Sequence, residues 1–221
     1  MNKYILSGLF LFSSLISFAQ VNDAALWVGI GLEKKLTNKF SLELTEELRF
    51  NENISELGTI FTEMGASYKI AKRFTIGGNY RFTQRRRVDD FYSIRHRYSL
   101  EASYKIKVKK LNFIIRERFQ SQYKDGGRDE DGGVAGNYLR SKLSIKLNTG
   151  KKVTPFISGE LWYQLTNEKG NEFDNVRYQA GIDYELNKFS TFTLGYLINK
   201  EFNVNDPWTT YAINLGFKYS F

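Results

Sequence analysis

Between Tyr92 and Ile106 the chain alternates residue by residue between two faces. Tyr92, Ile94, Tyr98, Leu100, Ala102, Tyr104 and Ile106 fall on one; Ser93, Arg95, Arg97, Ser99, Glu101, Ser103 and Lys105 fall on the other. Period two belongs to an extended strand, whose successive Cβ atoms point to opposite sides of the pleat. The same alternation runs through 40–50, 176–186 and 211–221, and no stretch after residue 20 carries a convincing helical period. The chain is therefore expected to be all-β.

Strand length narrows the choice further. The pattern predicts strands over 25–35, 40–50, 57–70, 74–84, 92–106, 111–123, 138–147, 153–165, 175–186, 190–199 and 208–221. Strands of soluble domains average about 5–6 residues, whereas a strand tilted across a bilayer needs about 9–11. The connections alternate as well. Tight turns at 36–39, 71–73, 107–110, 148–152 and 187–188 are interleaved with longer polar loops at 51–56, 85–91, 124–137, 166–174 and 200–207. Short turns at one end and longer loops at the other are the asymmetry of an outer-membrane barrel. The expectation is a single antiparallel up-and-down transmembrane β-barrel of about 10–12 strands. Bacterial single-chain barrels carry an even number of strands. Segment 25–35 is therefore expected either to stand outside the regular staves or to reflect a strand split or missed elsewhere.

Composition opposes this reading only when both faces are averaged. Mean hydropathy is −0.42 and 25% of residues are charged, values typical of a soluble domain. The aromatic share of 16% fits two interfacial girdles. Phe40, Tyr68, Phe74, Tyr104, Tyr184, Tyr219 and Phe221 lie near tight-turn ends, while Phe50, Phe82, Tyr92, Phe119, Tyr123, Tyr163, Tyr178, Trp208 and Tyr211 lie near loop ends. The absence of Cys excludes disulfide frameworks, thiolate metal sites and cysteine nucleophiles, and a single His excludes a His-rich metal site. A net charge of +8 is interleaved with acids rather than gathered in a stripe, so nucleic acid is not an expected partner.

Residues 1–19 read as a secretory signal peptide, with Lys3 before an apolar run from Ile5 to Phe18 and small Ser17 and Ala19 before Gln20. The barrel is then expected to occupy 20–221, in the outer membrane of a Gram-negative-type bacterium. The terminal aromatic strand ending in Phe221 fits recognition by barrel-assembly machinery.

If the apolar row faces lipid, the polar row faces the lumen. Expected lumen-lining residues are Glu43, Glu47, Arg81, Arg95, Arg97, Glu101, Arg116, Arg118, Arg140, Glu160, Arg177 and Asp183, with Arg49, Glu63 and Lys142 on the same row. Such a mixture suits either a structural network of Arg–carboxylate pairs or a narrow pore or pocket for small anionic solutes. At the loop end, Arg85, Arg86, Arg87 and Lys124 are candidates for holding the phosphates of outer-membrane lipid and lipopolysaccharide. The run Asp125–Gly133 lacks the spacing of a calcium loop, and no cofactor or metal is expected.

Catalysis is the alternative. His96 falls on the lipid-facing row, as do Glu117 and Ser121. If Ile106 paired with Leu111, His96 would stand opposite Ser121, as in an outer-face hydrolase acting on lipid or peptide. Glu117 and Ser121 are about 13 Å apart along one strand at the usual rise, too far for one triad. A secreted soluble β-barrel binding protein is the remaining alternative.

Leu26-Trp27-x-Gly29-x-Gly31-x-Glu33-Lys34-Lys35-Leu36 is followed by Glu46-Glu47-Leu48-Arg49-Phe50, Tyr80-Arg81-Phe82, Arg95-His96-Arg97-Tyr98 and Arg116-Glu117-Arg118-Phe119. This arrangement resembles a family of small secreted proteins thought to be outer-membrane β-barrels and known only as a domain of unknown function. The resemblance spans nearly all of the chain after the signal segment. It implies a location and an architecture, and supplies no catalytic residues.

Overall fold

The computed structural model describes residues 21–86, 91–124, 136–166 and 170–221. The signal segment, Arg87, most of the 124–137 loop and the side chain of Lys124 lie outside the described residues. The strands are β1 (Val21–Lys35), β2 (Phe40–Asn51), β3 (Glu56–Ala71), β4 (Phe74–Arg86), β5 (Tyr92–Val108), β6 (Leu111–Lys124), β7 (Gly136–Leu147), β8 (Val153–Gln164), β9 (Glu172–Glu185), β10 (Ser190–Glu201) and β11 (Trp208–Ser220). They form one closed barrel in which every strand pairs with its sequence neighbours and β1 closes onto β11.

The described strands number eleven, within the expected 10–12 but odd where bacterial single-chain barrels carry an even number, and the closure makes segment 25–35 a full stave. Antiparallel neighbours throughout an odd-numbered barrel force the first and last strands to run the same way. The β1–β11 seam is accordingly parallel, from Val21 opposite Trp208 to Glu33 opposite Ser220. The amide of Lys35 donates to the Phe221 carbonyl at 2.9 Å, and the amide of Phe221 donates to the Glu33 carbonyl at 2.9 Å. The start of β1 and the end of β11 therefore lie at opposite rims. β1 also begins four residues before its apolar pattern does, because buried Asp23 is tied to the β2–β3 loop. Its carboxylate accepts from the amide of Asn53 at 3.0 Å. That loop runs left-handed through Glu52, Asn53 and Ile54.

Local side chains make the short turns. Thr37 Oγ1 accepts from the amides of Lys39 at 3.1 Å and Phe40 at 2.9 Å. Asn187 Oδ1 accepts from the amides of Phe189 and Ser190, both at 2.9 Å. These ST and Asx turns reverse the chain in a few residues.

The wall is inverted relative to a soluble protein. Ile30, Met64, Leu100, Ile157 and Tyr178 are all more than half exposed on the outer face, and Leu100 reaches 67%. The buried side chains are largely polar: Gln120, Glu160, Arg140, Arg118, Ser99 and Asp174. A single-layer closed sheet buries a residue only by enclosing it, so these groups are inside the barrel.

Candidate functional site

The inner row sorts by size along the barrel axis. In the half nearer the tight turns it carries small residues, among them Gly29, Gly31, Gly65, Ser67, Gly181 and Gly216. In the half nearer the loops it carries Trp27, Phe61, Trp162 and most of the arginines. Large side chains line the lumen there. A vestibule of about 730 Å³ opens at the turn end, lined by Glu33, Lys35, Lys39, Ser67, Lys69 and Thr75 among others.

The loop-side half is filled by an alternating stack of guanidinium and aromatic groups. Arg140 lies 3.9 Å from the Trp162 ring centroid, and Arg177 lies between Trp162 at 5.4 Å and Trp27 at 5.0 Å. Arg49 sits 3.7 Å from Trp27 and 5.1 Å from Phe61. Arg81 sits 3.6 Å from the Phe61 ring centroid. Each contact of this kind contributes about 0.5–2 kcal/mol, more where water is excluded. Arg177 on β9 reaches Trp27 on β1 because the intervening strands offer Leu197 and Ala212, both buried with Trp27 and Ala25 in a small apolar cluster.

Carboxylates are threaded through the stack. Glu160 accepts from Arg140 Nη2 at 2.8 Å and from Arg116 Nη2 at 2.7 Å. Glu101 takes Arg118 at 2.6 Å, Glu63 takes Arg81 at 2.6 Å, and Glu47 takes Arg49 at 2.6 Å. Gln120, 1% exposed, accepts from Arg140 Nη1 at 2.9 Å. Glu43 and Asp183 lie nearer the turns, where they pair with Lys218 and Lys146. Arg95 lies on the same row near the loop rim, opposite Thr83.

Three cations of this layer have no carboxylate partner among the described residues. Arg97 is held by Gln122 Oε1, at 3.1 Å from Nε and 2.7 Å from Nη2. Arg177 Nε donates to Asn199 Oδ1 at 3.0 Å. Lys142 stands between Arg116 and Glu160 in the register, while Glu160 is engaged by the two arginines.

Of the basic rim residues, Arg86 is tied to Glu56 at the start of β3 at 2.7 Å. Arg85 is exposed at the rim.

The expected pairing of His96 with Ser121 is corrected. Val108 pairs with Leu111 and Ile106 with Phe113, which sets His96 opposite Tyr123 and Ser121 opposite Tyr98. The cause is a two-residue turn in which Lys109 adopts φ 52°, in place of a four-residue one. His96 Nδ1 and the Tyr80 hydroxyl are 2.8 Å apart, while Glu117 accepts from Ser141 Oγ at 2.6 Å on the outer wall. The acid and the imidazole are thus engaged by separate partners on separate strands.

The lumenal aromatics Trp27, Phe61 and Trp162 were not among the expected site residues, although residue parity marks them. Each shares a row with charged neighbours: Trp27 with Glu33, Phe61 with Glu63, and Trp162 with Glu160.

Three solved structures share the architecture. A bacterial polysaccharide outer membrane secretin matches with a TM-score of 0.55 at 11% identity over 80% of this chain, which spans 63% of the secretin's length. The β domain of the Bordetella autotransporter BrkA matches at 0.51 and 14% identity, over 85% of this chain and 86% of that one. The NanC porin matches at 0.51 and 13% identity, over 80% and 86%. At these identities the likeness is one of fold: that of outer-membrane β-barrels. No functionally curated protein matches in sequence. Residues 24–210 match the family described as "Protein of unknown function (DUF2490)", and the chain belongs to that family.

Proposed function

From that membership and the filled lumen, we propose that the chain is an integral outer-membrane barrel of structural or solute-holding type, not a freely conducting porin. Residues 1–19 act as the signal for export, and the apolar outer wall lies in lipid. The tight turns face the periplasm, where the strand ending in Phe221 meets the assembly machinery. The loop end faces outward, and Arg85 and its basic neighbours meet the phosphates of lipopolysaccharide. The barrel performs no catalysis.

The observation that carries this reading is the stack from Arg140 through Trp162, Arg177, Trp27, Arg49 and Phe61 to Arg81. It supports a lumen interrupted on the loop side and open only as a vestibule on the turn side. The packed side chains of a narrow barrel would close it to solutes.

The test is fractionation of cells expressing the chain, followed by swelling of liposomes reconstituted with the purified barrel. The reading expects recovery in urea-washed outer membranes and liposomes that do not swell in small sugars. Recovery in the soluble periplasm would overturn the membrane reading. Rapid swelling would overturn the closed lumen.

A further inference from the structure

Cations in the loop-side layer are set directly against one another. Arg81 is the cross-strand partner of Arg97, Arg118 of Arg140, and Arg116 of Lys142. Like charges directly opposite on a sheet are destabilising. Four of these six side chains are compensated: Arg81 by Glu63, Arg118 by Glu101, and Arg116 and Arg140 by Glu160. Arg97 and Lys142 are not, and Arg177 beyond Glu160 shares that condition among the described residues. Arg97 lies within electrostatic range of Arg81, Arg140 and Arg49 against Glu63 alone, and Arg177 of Arg140 and Arg49 against Glu160 and Glu47, which are already paired with other arginines. Arg116 keeps a buried Nε proton without an acceptor. Enclosed positive charge of this kind is stabilised by a counter-charge held at the same depth.

We propose that this layer is an anion-binding site, filled from the vestibule by a small oxyanion carrying carboxylate or phosphate oxygens. This rests on the closed-lumen reading, to which it adds the ligand class. Guanidinium forks match two oxygens of one planar or tetrahedral anion. Arg97 retains donors beyond those it gives to Gln122, and Arg177 beyond its Nε. The glutamine and asparagine oxygens position these side chains without neutralising them. The vestibule at the turn end is itself basic: Lys35, Lys39 and Lys69 line it against the single acid Glu33, and a cavity lined mostly by one sign of charge concentrates the opposite ion.

The experiment uses the full barrel refolded in zwitterionic detergent micelles, with inorganic phosphate and succinate as probes and chloride at equal ionic strength as control. Trp27 and Trp162 stack on the layer's arginines, so their fluorescence reports both binding and unfolding. Saturable titration is expected with phosphate or succinate, together with a rise in the urea midpoint that chloride does not reproduce. Whichever probe gives the larger effect identifies the preferred oxyanion.

Arg97→Gln is expected to weaken binding at least about tenfold, the equivalent of one charge-assisted hydrogen bond. In chloride buffer it should match or exceed the wild-type urea midpoint, because it removes the cation opposite Arg81. A merely structural Arg97 would lower stability in every buffer. Arg97→Lys keeps the charge without the fork and is expected to bind with intermediate affinity. Lys142→Gln, at a position whose side chain makes no hydrogen bond among the described residues, provides an independent variant and should also weaken binding. The proposal is overturned if neither probe acts beyond chloride, or if both Arg97→Gln and Lys142→Gln bind as the wild type does. Liposomes that swell while phosphate still titrates would instead overturn the closed lumen and leave the anion site standing.

Discussion

Replacing Glu160 with Gln removes one negative charge and almost no volume from the most enclosed ion cluster in the barrel. The Glu160 carboxylate is 3% exposed and Arg140 is 5% exposed. The carboxylate accepts from Arg140 Nη2 at 2.8 Å and Nε at 3.2 Å, and from Arg116 Nη2 at 2.7 Å. Without it, two arginines lose their shared partner while Lys142 and Arg177 still flank the position in register. Breaking one partner of a buried pair typically costs about 3–5 kcal/mol, because the remaining charge stays buried and uncompensated. The internal control is a charge pair at similar distance and different solvation: Lys218 Nζ lies 2.9 Å from Glu43, with both side chains more than 40% exposed. Exposed pairs are worth about 0–1 kcal/mol. Urea unfolding of the refolded barrel, followed by tryptophan fluorescence, should therefore separate Glu160→Gln from Glu43→Gln by at least about 2 kcal/mol. Equal losses, or a loss at Glu160 below about 1 kcal/mol, would refute the claim that the layer is enclosed.

Gly181→Ala should destabilise the barrel by about 1–3 kcal/mol in the same assay. A Cβ there would stand 2.5 Å from the Leu194 carbonyl oxygen and 2.8 Å from the Phe156 ring. His96→Ala should leave any lipid-ester hydrolysis by the purified barrel unchanged, and a selective loss would restore the outer-face hydrolase. The chain has no Cys, so single-cysteine variants report topology cleanly. Asn22→Cys and Ser55→Cys should react with an impermeant maleimide on intact cells, and Asn187→Cys only after permeabilisation. Asn22 and Asn187 labelling from the same side would contradict the opposed placement of the β1 start and the β11 end that an odd strand number requires.

Strand positions were legible because lipid and lumen impose opposite solvation on alternate residues over strands of 12–17 residues. The predicted bounds of β2, β6 and β10 fall within two residues of those observed. The start of β9 was hidden by a bulge, where Asp174 is inserted between the partners of Trp162 and Tyr163 and both Asp174 and Asn175 are buried. Parity gave no hint of how the barrel closes, since a parallel and an antiparallel seam present the same alternation. Register failed at the β5–β6 turn, because Lys109 enters the left-handed region with no Gly or Asn to announce it. The site was legible as a row of charges. Its pairings were not, because long side chains reach past their neighbours: Arg116 on β6 bonds Glu160 on β8 across β7. The aromatic half of the stack was missed because only charged residues were read from the inner row, while the same row put Trp27, Phe61 and Trp162 inside.

The central claim, a lumen closed by the arginine–aromatic stack, is tested most directly by single-channel recording of the purified barrel in planar lipid bilayers. The wild type should insert without steady conductance, and a Trp27→Ala, Arg49→Ala double variant, which removes the middle of the stack, should open a stable pore. Steady current through the wild type, unchanged in the double variant, would contradict it.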